Sequence, residues 1–395
     1  MCLVRFRDIP KPARAYILYH TIISPFLISW YLLPLYMMLS GYSVLELGVF
    51  FTMVNALSIP LTYMVGKLFD ELPIRSGLIC IDLLEGASYL CYAMAEGGLA
   101  PIMLTLGCLL SKIAGLFYPL YQACEQILYP EEIREEIFVW HLRLPEISQI
   151  VGFLAFGYVL SYIWPDLKYY RVTFIVFSIV SFAMVPYLIS SLPRIDRRER
   201  LNIGGIRAKL YSKGFRMVVL IETLYILAFC LMPEFVLLNY VIFTLNKKLF
   251  HVMLIESSMS TSTIIATYIA EKLPKRYSFR NIALGISMLA AQTLIMAMSP
   301  PFLIVLVAYF IGRLGDSIAF PFYRSWIFSN IPYDRVSEFH AALSSIRKTV
   351  ALISPVIAGL LASIHATLPY ALSFMLFLII TIIFLMMPTF KKDTN

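Results

Sequence analysis

Gly66-Lys67-Leu68-Phe69-Asp70-Glu71-Leu72-Pro73-Ile74-Arg75 is a short polar break between two apolar runs. A second version, Glu271-Lys272-Leu273-Pro274-Lys275-Arg276, lies 201 positions further on. In that register Asp70 aligns with Glu271, Leu72 with Leu273, Pro73 with Pro274 and Arg75 with Arg276. A chain that carries one charged turn twice at a long fixed spacing is expected to be two copies of one folding unit. The repeat extends past the turn: Lys112 aligns with Arg313, Arg134 with Arg335, Phe138 with Phe339 and Asn55 with Glu256. Phe117-Tyr118-Pro119-Leu120-Tyr121 echoes Ala319-Phe320-Pro321-Phe322-Tyr323 one place out of register. Charged residues inside apolar helices are scarce, so the Lys112/Arg313 match weighs more than any match between leucines.

The solvent follows from composition. The 395 residues are 60% hydrophobic and 14% charged, with a mean hydropathy of +0.79. A soluble domain is usually about 45–50% apolar and about 25% charged. A chain this apolar needs lipid around it, and in lipid only helices or a closed barrel satisfy the backbone. The apolar runs are continuous over about 20 residues, where barrel strands would alternate over about 10. An all-α membrane protein is therefore expected. The net charge of +8 does not point to nucleic acid, because the basic residues are spread over short loops beside apolar runs. The six cysteines form no CxxC pair and five lie in apolar runs, which makes packed or lipid-facing thiols the expectation and disulfides or metal ligands not. Arg5, Arg7, Lys11 and Arg14 ahead of an apolar run resemble the charged end of a signal peptide. The run to Leu39 is too long for a cleaved signal, so a retained first helix is expected.

Turn formers and prolines divide the chain into twelve transmembrane helices: 14–39, 44–68, 75–95, 99–126, 133–163, 170–192, 213–244, 248–271, 279–298, 301–328, 335–363 and 367–387. Segment 193–212, with Arg194, Arg197, Arg198, Arg200, Arg207 and Lys209, is the longest polar connection. It is expected to be a cytoplasmic linker between six-helix bundles at 1–192 and 213–395, related by a pseudo-twofold. Most basic loop residues fall on one side, including the N-terminal four, Lys67, Arg75, the linker, Lys272, Lys275, Arg276, Lys391 and Lys392. The other side has Lys168, Arg171, Lys247 and Lys248. Both termini are thus expected in the cytoplasm, with the protein multi-pass in the cell membrane.

Gly66-x-x-x-Asp70 with Arg75 resembles the signature turn of the major facilitator superfamily of secondary transporters, although Glu71, Pro73 and Ile74 depart from that pattern. Lys112 stands where that family has a basic residue in its fourth helix, and Tyr129-Pro130-Glu131-Glu132-Ile133-Arg134 is similar to its approach to the fifth. Gly152 and Gly157, and Ser354-Pro355 with Gly359, are weaker matches. The resemblance implies that helices 1, 4, 7 and 10 line a central cavity and that two halves rock to open it to either side. It implies a gating role for Gly66, Asp70, Arg75, Glu271 and Arg276. Asp70 would then sit at the N-terminus of helix 11, where a carboxylate is stabilised by about 0.3–1 kcal/mol; the plainer alternative is a solvated turn.

An ionisable group at the bilayer centre costs about 2.5–3.5 kcal/mol, so each needs a reason. Lys112 and Arg313 lie about 18 Å from the outer ends of their helices, and the midplane is at about 15 Å. Arg143 and Arg347 are comparably deep. The four could form a cation ring that binds an anion, Arg through paired donors and Lys as a point charge. Internal neutralisation competes, because Glu146 follows Arg143 and Asp316 follows Arg313 by three residues. The two combine if Glu146 or Asp316 takes a proton and releases its arginine. Glu222 and His20, 202 positions apart, are further proton relays, though His20 also suits a packed, hydrogen-bonded role. Tyr118, Tyr121, Phe320 and Tyr323 could wall a substrate site, or simply pack. Asp82 and Glu85 are expected in salt bridges to Lys67 or Arg75, and Glu125 in one to Arg75 or Arg134.

No phosphate loop, HExxH or metal-ligand cluster is present, and Ser345-Ile-Arg-Lys348 lacks the companion motifs of a nucleophile–lysine enzyme. The expectation is a monomeric transporter without catalytic residues, metal or cofactor that moves a small organic anion with protons or a counter-substrate. An exporter of amphipathic drugs or lipids, a membrane enzyme on lipid-linked substrates, and a receptor that binds without flux stay open as alternatives.

Overall fold

The structure is a computed structural model that describes residues 5–69, 73–194, 213–273, 278–329 and 336–387. Among them are twelve helices and no strand. They are α1 (Lys11–Leu39), α2 (Val44–Phe69), α3 (Ile74–Ala93), α4 (Ala100–Gly115 and Pro119–Leu128), α5 (Arg134–Tyr158, running on to Ile163) and α6 (Leu167–Ser191). Then come α7 (Lys213–Cys230 and Glu234–Leu238, running on to Thr244), α8 (Leu249–Lys272), α9 (Ser278–Ala297), α10 (Phe302–Ser329), α11 (Val336–Ile364) and α12 (Leu368–Met386).

The turns fall where residue chemistry demands them. Gly41 and Gly97 take positive φ, +102° and +56°, a conformation nearly closed to residues with a Cβ. After Gly41, α2 opens on a reciprocal cap. Glu46 Oε2 accepts from the Ser43 amide at 2.7 Å and from its hydroxyl at 2.8 Å, while the Glu46 amide donates back to Ser43 Oγ at 3.3 Å. Two helices expected to be continuous are interrupted. Residues 116–118 break α4 ahead of Pro119, and residues 231–233 break α7 at Pro233, because a proline supplies no amide to the preceding turn.

Ten of the described helical stretches are long and apolar enough to cross a membrane, which makes this a multi-pass membrane protein. Val151, Ile179 and Leu303 are 62%, 61% and 71% exposed, an arrangement that only a hydrocarbon surround favours. The two helices outside the ten have their own reasons. α3 carries Arg75, Asp82 and Glu85, and the described apolar stretch of α11, Lys348–Ile364, is short.

The chain divides into two compact units, residues 1–40 with 53–202, and residues 41–52 with 203–395. In the first, α3 packs on α4 and α6, and α1 packs on α5. In the second, α9 packs on α10 and α12, and α7 packs on α11. Each unit thus repeats one internal packing order, in keeping with the duplication read from the turns. Close approaches are set by glycine. A Cβ at Gly152 of α5 would lie 2.4 Å from Pro25 Cβ of α1. In the second unit a Cβ at Gly48 would lie 2.4 Å from the Pro355 carbonyl oxygen, and one at Gly359 would lie 2.8 Å from that of Val44. The first turns of α2 therefore press directly on the backbone of α11.

Candidate functional site

The first unit holds a half-open cavity of about 360 Å³ between α1, α3, α4 and α5. Two acids three residues apart on α3 form one wall, Asp82 and Glu85, both facing the cavity. Asp82 is 4% exposed. Its Oδ1 accepts from the Tyr19 hydroxyl of α1 at 3.0 Å, and the Tyr121 hydroxyl of α4 stands 3.4 Å from that of Tyr19. Glu85 accepts from Tyr118 at 2.9 Å and from Ser111 at 3.2 Å. Also lining the cavity, the His20 and His141 rings lie 4.8 Å apart. His141 Nδ1 is 2.8 Å from the Tyr129 hydroxyl and 3.4 Å from Glu125 Oε1. Three buried polar atoms here have no hydrogen-bond partner among the described residues: His20 Nε2, Asp82 Oδ2 and Glu146 Oε2.

This wall corrects the sequence expectation for α3 as far as Arg75 is concerned; the Lys67 side chain, the other expected partner, lies outside the described residues. Arg75 does not reach Asp82 or Glu85; it donates to the backbone carbonyls of Leu192 at 3.1 Å and Ile189 at 3.4 Å. Nor, among the described residues, does Glu125 pair with an arginine. It sits against His141, while Arg134 Nε donates to the Tyr129 carbonyl at 3.2 Å. Among the described residues, Asp82, Glu85 and Glu146 form no ion pair, so the Arg143–Glu146 pair that competed with the anion reading is absent. Two carboxyls three residues apart inside an apolar helix were the sequence signal for this wall. Only the fold supplies its partners, from α1 and α4.

The second unit holds a different cluster. Arg313 and Asp316 of α10 make the ion pair expected from their spacing, Nη1 to Oδ2 at 3.2 Å. Arg313 Nε also donates to Thr263 Oγ1 of α8 at 3.1 Å. Asp316 Oδ1 accepts the Tyr225 hydroxyl of α7 at 2.5 Å. The Arg313 side chain is 41% exposed and that of Asp316 19%, so the guanidinium has one open flank while the carboxylate is covered. Tyr225 stacks on Tyr323 with ring centres 5.3 Å apart. Glu222, one turn before Tyr225 on α7, is buried.

The expected site residues therefore separate by unit. His20, Tyr118, Tyr121 and Glu146 line the first unit's cavity. Lys112 is exposed and Arg143 half-buried, neither among the residues that line it. Arg313, Asp316 and Tyr323 come together in the second unit, whereas Phe320 is exposed under the Arg324 guanidinium at 5.3 Å. Asp70 and Arg276 lie outside the described residues, as do the surroundings of Gly66, the side chains of Glu271 and Arg347 and most of the linker. Among the described residues, no three His, Cys, Asp or Glu side chains are placed to hold a metal ion.

No protein-family model and no curated protein sequence matches the chain. Solved structures do. A bacterial homologue of the iron transporter ferroportin, in an inward-facing state, superposes with a TM-score of 0.76 at 15% identity, covering 95% of this chain and 98% of that one. The D-xylose-proton symporter gives 0.71 at 14% identity over 97% and 98%. The nucleoside transporter NupG gives 0.70 at 12% identity over 95% and 98%. The chain has the major facilitator fold that its repeated turn leads one to expect.

Proposed function

We propose that this protein is a secondary active transporter of the cell membrane that moves a small organic anion by alternating access and couples that movement to protons. The observation that carries the proposal is the Arg313 cluster. A guanidinium deep in an apolar helix is held by Asp316 and Thr263 and keeps one flank open. A proton on Asp316 cancels the pairing and frees the arginine forks for a carboxylate or phosphate. Loss of that proton re-forms the pair and expels the anion. One acid–base couple thus links both ligands without any nucleotide. Lys112, Arg143 and Arg347 add positive charge in this scheme, and Glu222 relays protons along α7.

The fold supports this reading, since fold neighbours include transporters of several solute classes, one of them a proton symporter. Basic-residue placement supports cytoplasmic termini, with the turns at Asp70 and Glu271 gating that side. The test is uptake of labelled solutes into vesicles reconstituted with the full chain, comparing carboxylates, phosphate-bearing solutes and neutral amphipaths. Anion uptake that is lost in Arg313→Ala is expected. Anion uptake that survives in Arg313→Ala, or flux of neutral amphipaths alone, overturns the proposal.

A further inference from the structure

The cavity of the first unit has chemistry opposite to that of an anion site. Three carboxyl groups face it, from Asp82, Glu85 and Glu146. None of them is ion-paired among the described residues. Burying a carboxyl in lipid-scale surroundings is unfavourable unless something compensates it, and here the compensation inside the protein is incomplete. Asp82 is 4% exposed and its Oδ2 has no donor. Glu146 Oε2 is in the same condition. Beside them the lining carries aromatic side chains, Trp30, Tyr89, Tyr118 and Tyr121, together with aliphatic residues and the two histidines His20 and His141. Tyr118 and Tyr121 stack with ring centres 5.7 Å apart.

Carboxyls beside aromatic faces are the two groups that recognise an ammonium, by charge-assisted hydrogen bonds and by attraction to the ring quadrupole. The volume of about 360 Å³ falls in the range of small-molecule sites and exceeds what a proton or one water needs. A bare metal ion fits less well. Both Glu85 oxygens and Asp82 Oδ1 already take hydroxyl donors, and a hard cation would have to displace them.

We propose that this cavity is a binding site for a small organic cation, a protonated amine whose ammonium meets Asp82 Oδ2 and whose apolar body lies against Tyr89, Tyr118 and Tyr121. The site goes beyond the anion reading and does not rest on it, because Arg313 belongs to the second unit.

Calorimetric titration of the purified full chain at one fixed pH tests this with three probes of one shape: 2-phenylethylamine, 2-phenylethanol and phenylacetate. The amine is expected to bind, the alcohol to bind at least about tenfold more weakly, the scale of one charge-assisted contact, and the carboxylate neither to displace the amine nor to bind the Arg313→Ala protein, from which the second unit's anion site is removed. Asp82→Asn is expected to weaken the amine by about tenfold or more, and Arg313→Ala to leave it unchanged. Glu85→Gln serves in place of Asp82→Asn if the latter does not fold, and the probe series on the unaltered protein decides the matter without any variant. Equal binding of amine and alcohol, displacement of the amine by phenylacetate, binding of phenylacetate to Arg313→Ala, displacement of the amine by manganese(II), or full affinity in the folded Asp82 variant overturns the proposal. Loss of anion uptake in Arg313→Ala with intact amine binding separates this site from the transport reading.

Discussion

The hydroxyl of Tyr19 on α1 donates to Oδ1 of Asp82 on α3 across 3.0 Å, and Oδ2 of the same carboxyl is left without a donor. Tyr19 is wholly buried, so water does not replace it when it is removed. Tyr19→Phe is therefore expected to lower thermal stability by about 1–3 kcal/mol, the cost of a buried polar group losing its partner. Unfolding followed by circular dichroism in detergent measures this. An unchanged midpoint would mean the bond contributes nothing.

Glu146 presents the converse case. Its Oε2 is buried and unbonded among the described residues, and Glu146→Met replaces it with an apolar side chain of similar length. The substitution is expected to leave the melting temperature equal or higher, because a poorly compensated buried carboxyl is removed. A clear fall in melting temperature would show that Glu146 has a stabilising partner.

Glycine contacts give a prediction with a built-in control. Gly359→Ala places a methyl 2.8 Å from the Val44 carbonyl oxygen, whereas Gly98→Ala meets nothing within 4 Å. Gly359→Ala is expected to cost about 1–3 kcal/mol by overpacking, and Gly98→Ala close to nothing. Side-by-side thermal melts decide it, and equal midpoints contradict the close approach of α2 to α11.

Arg313→Lys keeps the charge and removes the fork. Thr263 and Asp316 are held by two different nitrogens, Nε and Nη1, and one ammonium on a different stem cannot reproduce that geometry. Anion affinity in the lysine variant is expected to fall by about tenfold, read as a raised half-saturation concentration in vesicle uptake. Wild-type affinity would mean that charge alone suffices.

Much of the helix layout was legible because the chain is punctuated by residues with few alternatives, such as Gly41, Gly97 and the Pro300-Pro301 pair. Proline alone was less informative. Pro119 and Pro233 interrupt α4 and α7, but Pro34, Pro60, Pro145, Pro186, Pro321 and Pro355 stay inside helices. Neighbouring helices decide which outcome occurs. The Arg313–Asp316 pair was legible from i,i+3 spacing, since both partners share one helix face. The same rule failed for Arg143 and Glu146, because spacing permits a pair without requiring it. Asp82 and Glu85 were misassigned to Arg75 for a related reason. Their partners Tyr19 and Tyr118 come from 63 and 33 residues away, and helix-face periodicity does not say which neighbour covers that face.

The coupling of proton and anion at Arg313 and Asp316 is tested most directly by concentrative uptake in vesicles under an imposed pH gradient, comparing the unaltered protein with Asp316→Asn. The unaltered protein is expected to accumulate anion above its external concentration while the gradient lasts. Asp316→Asn is expected to equilibrate the anion across the membrane without accumulating it. Accumulation by Asp316→Asn at the wild-type level would contradict the account.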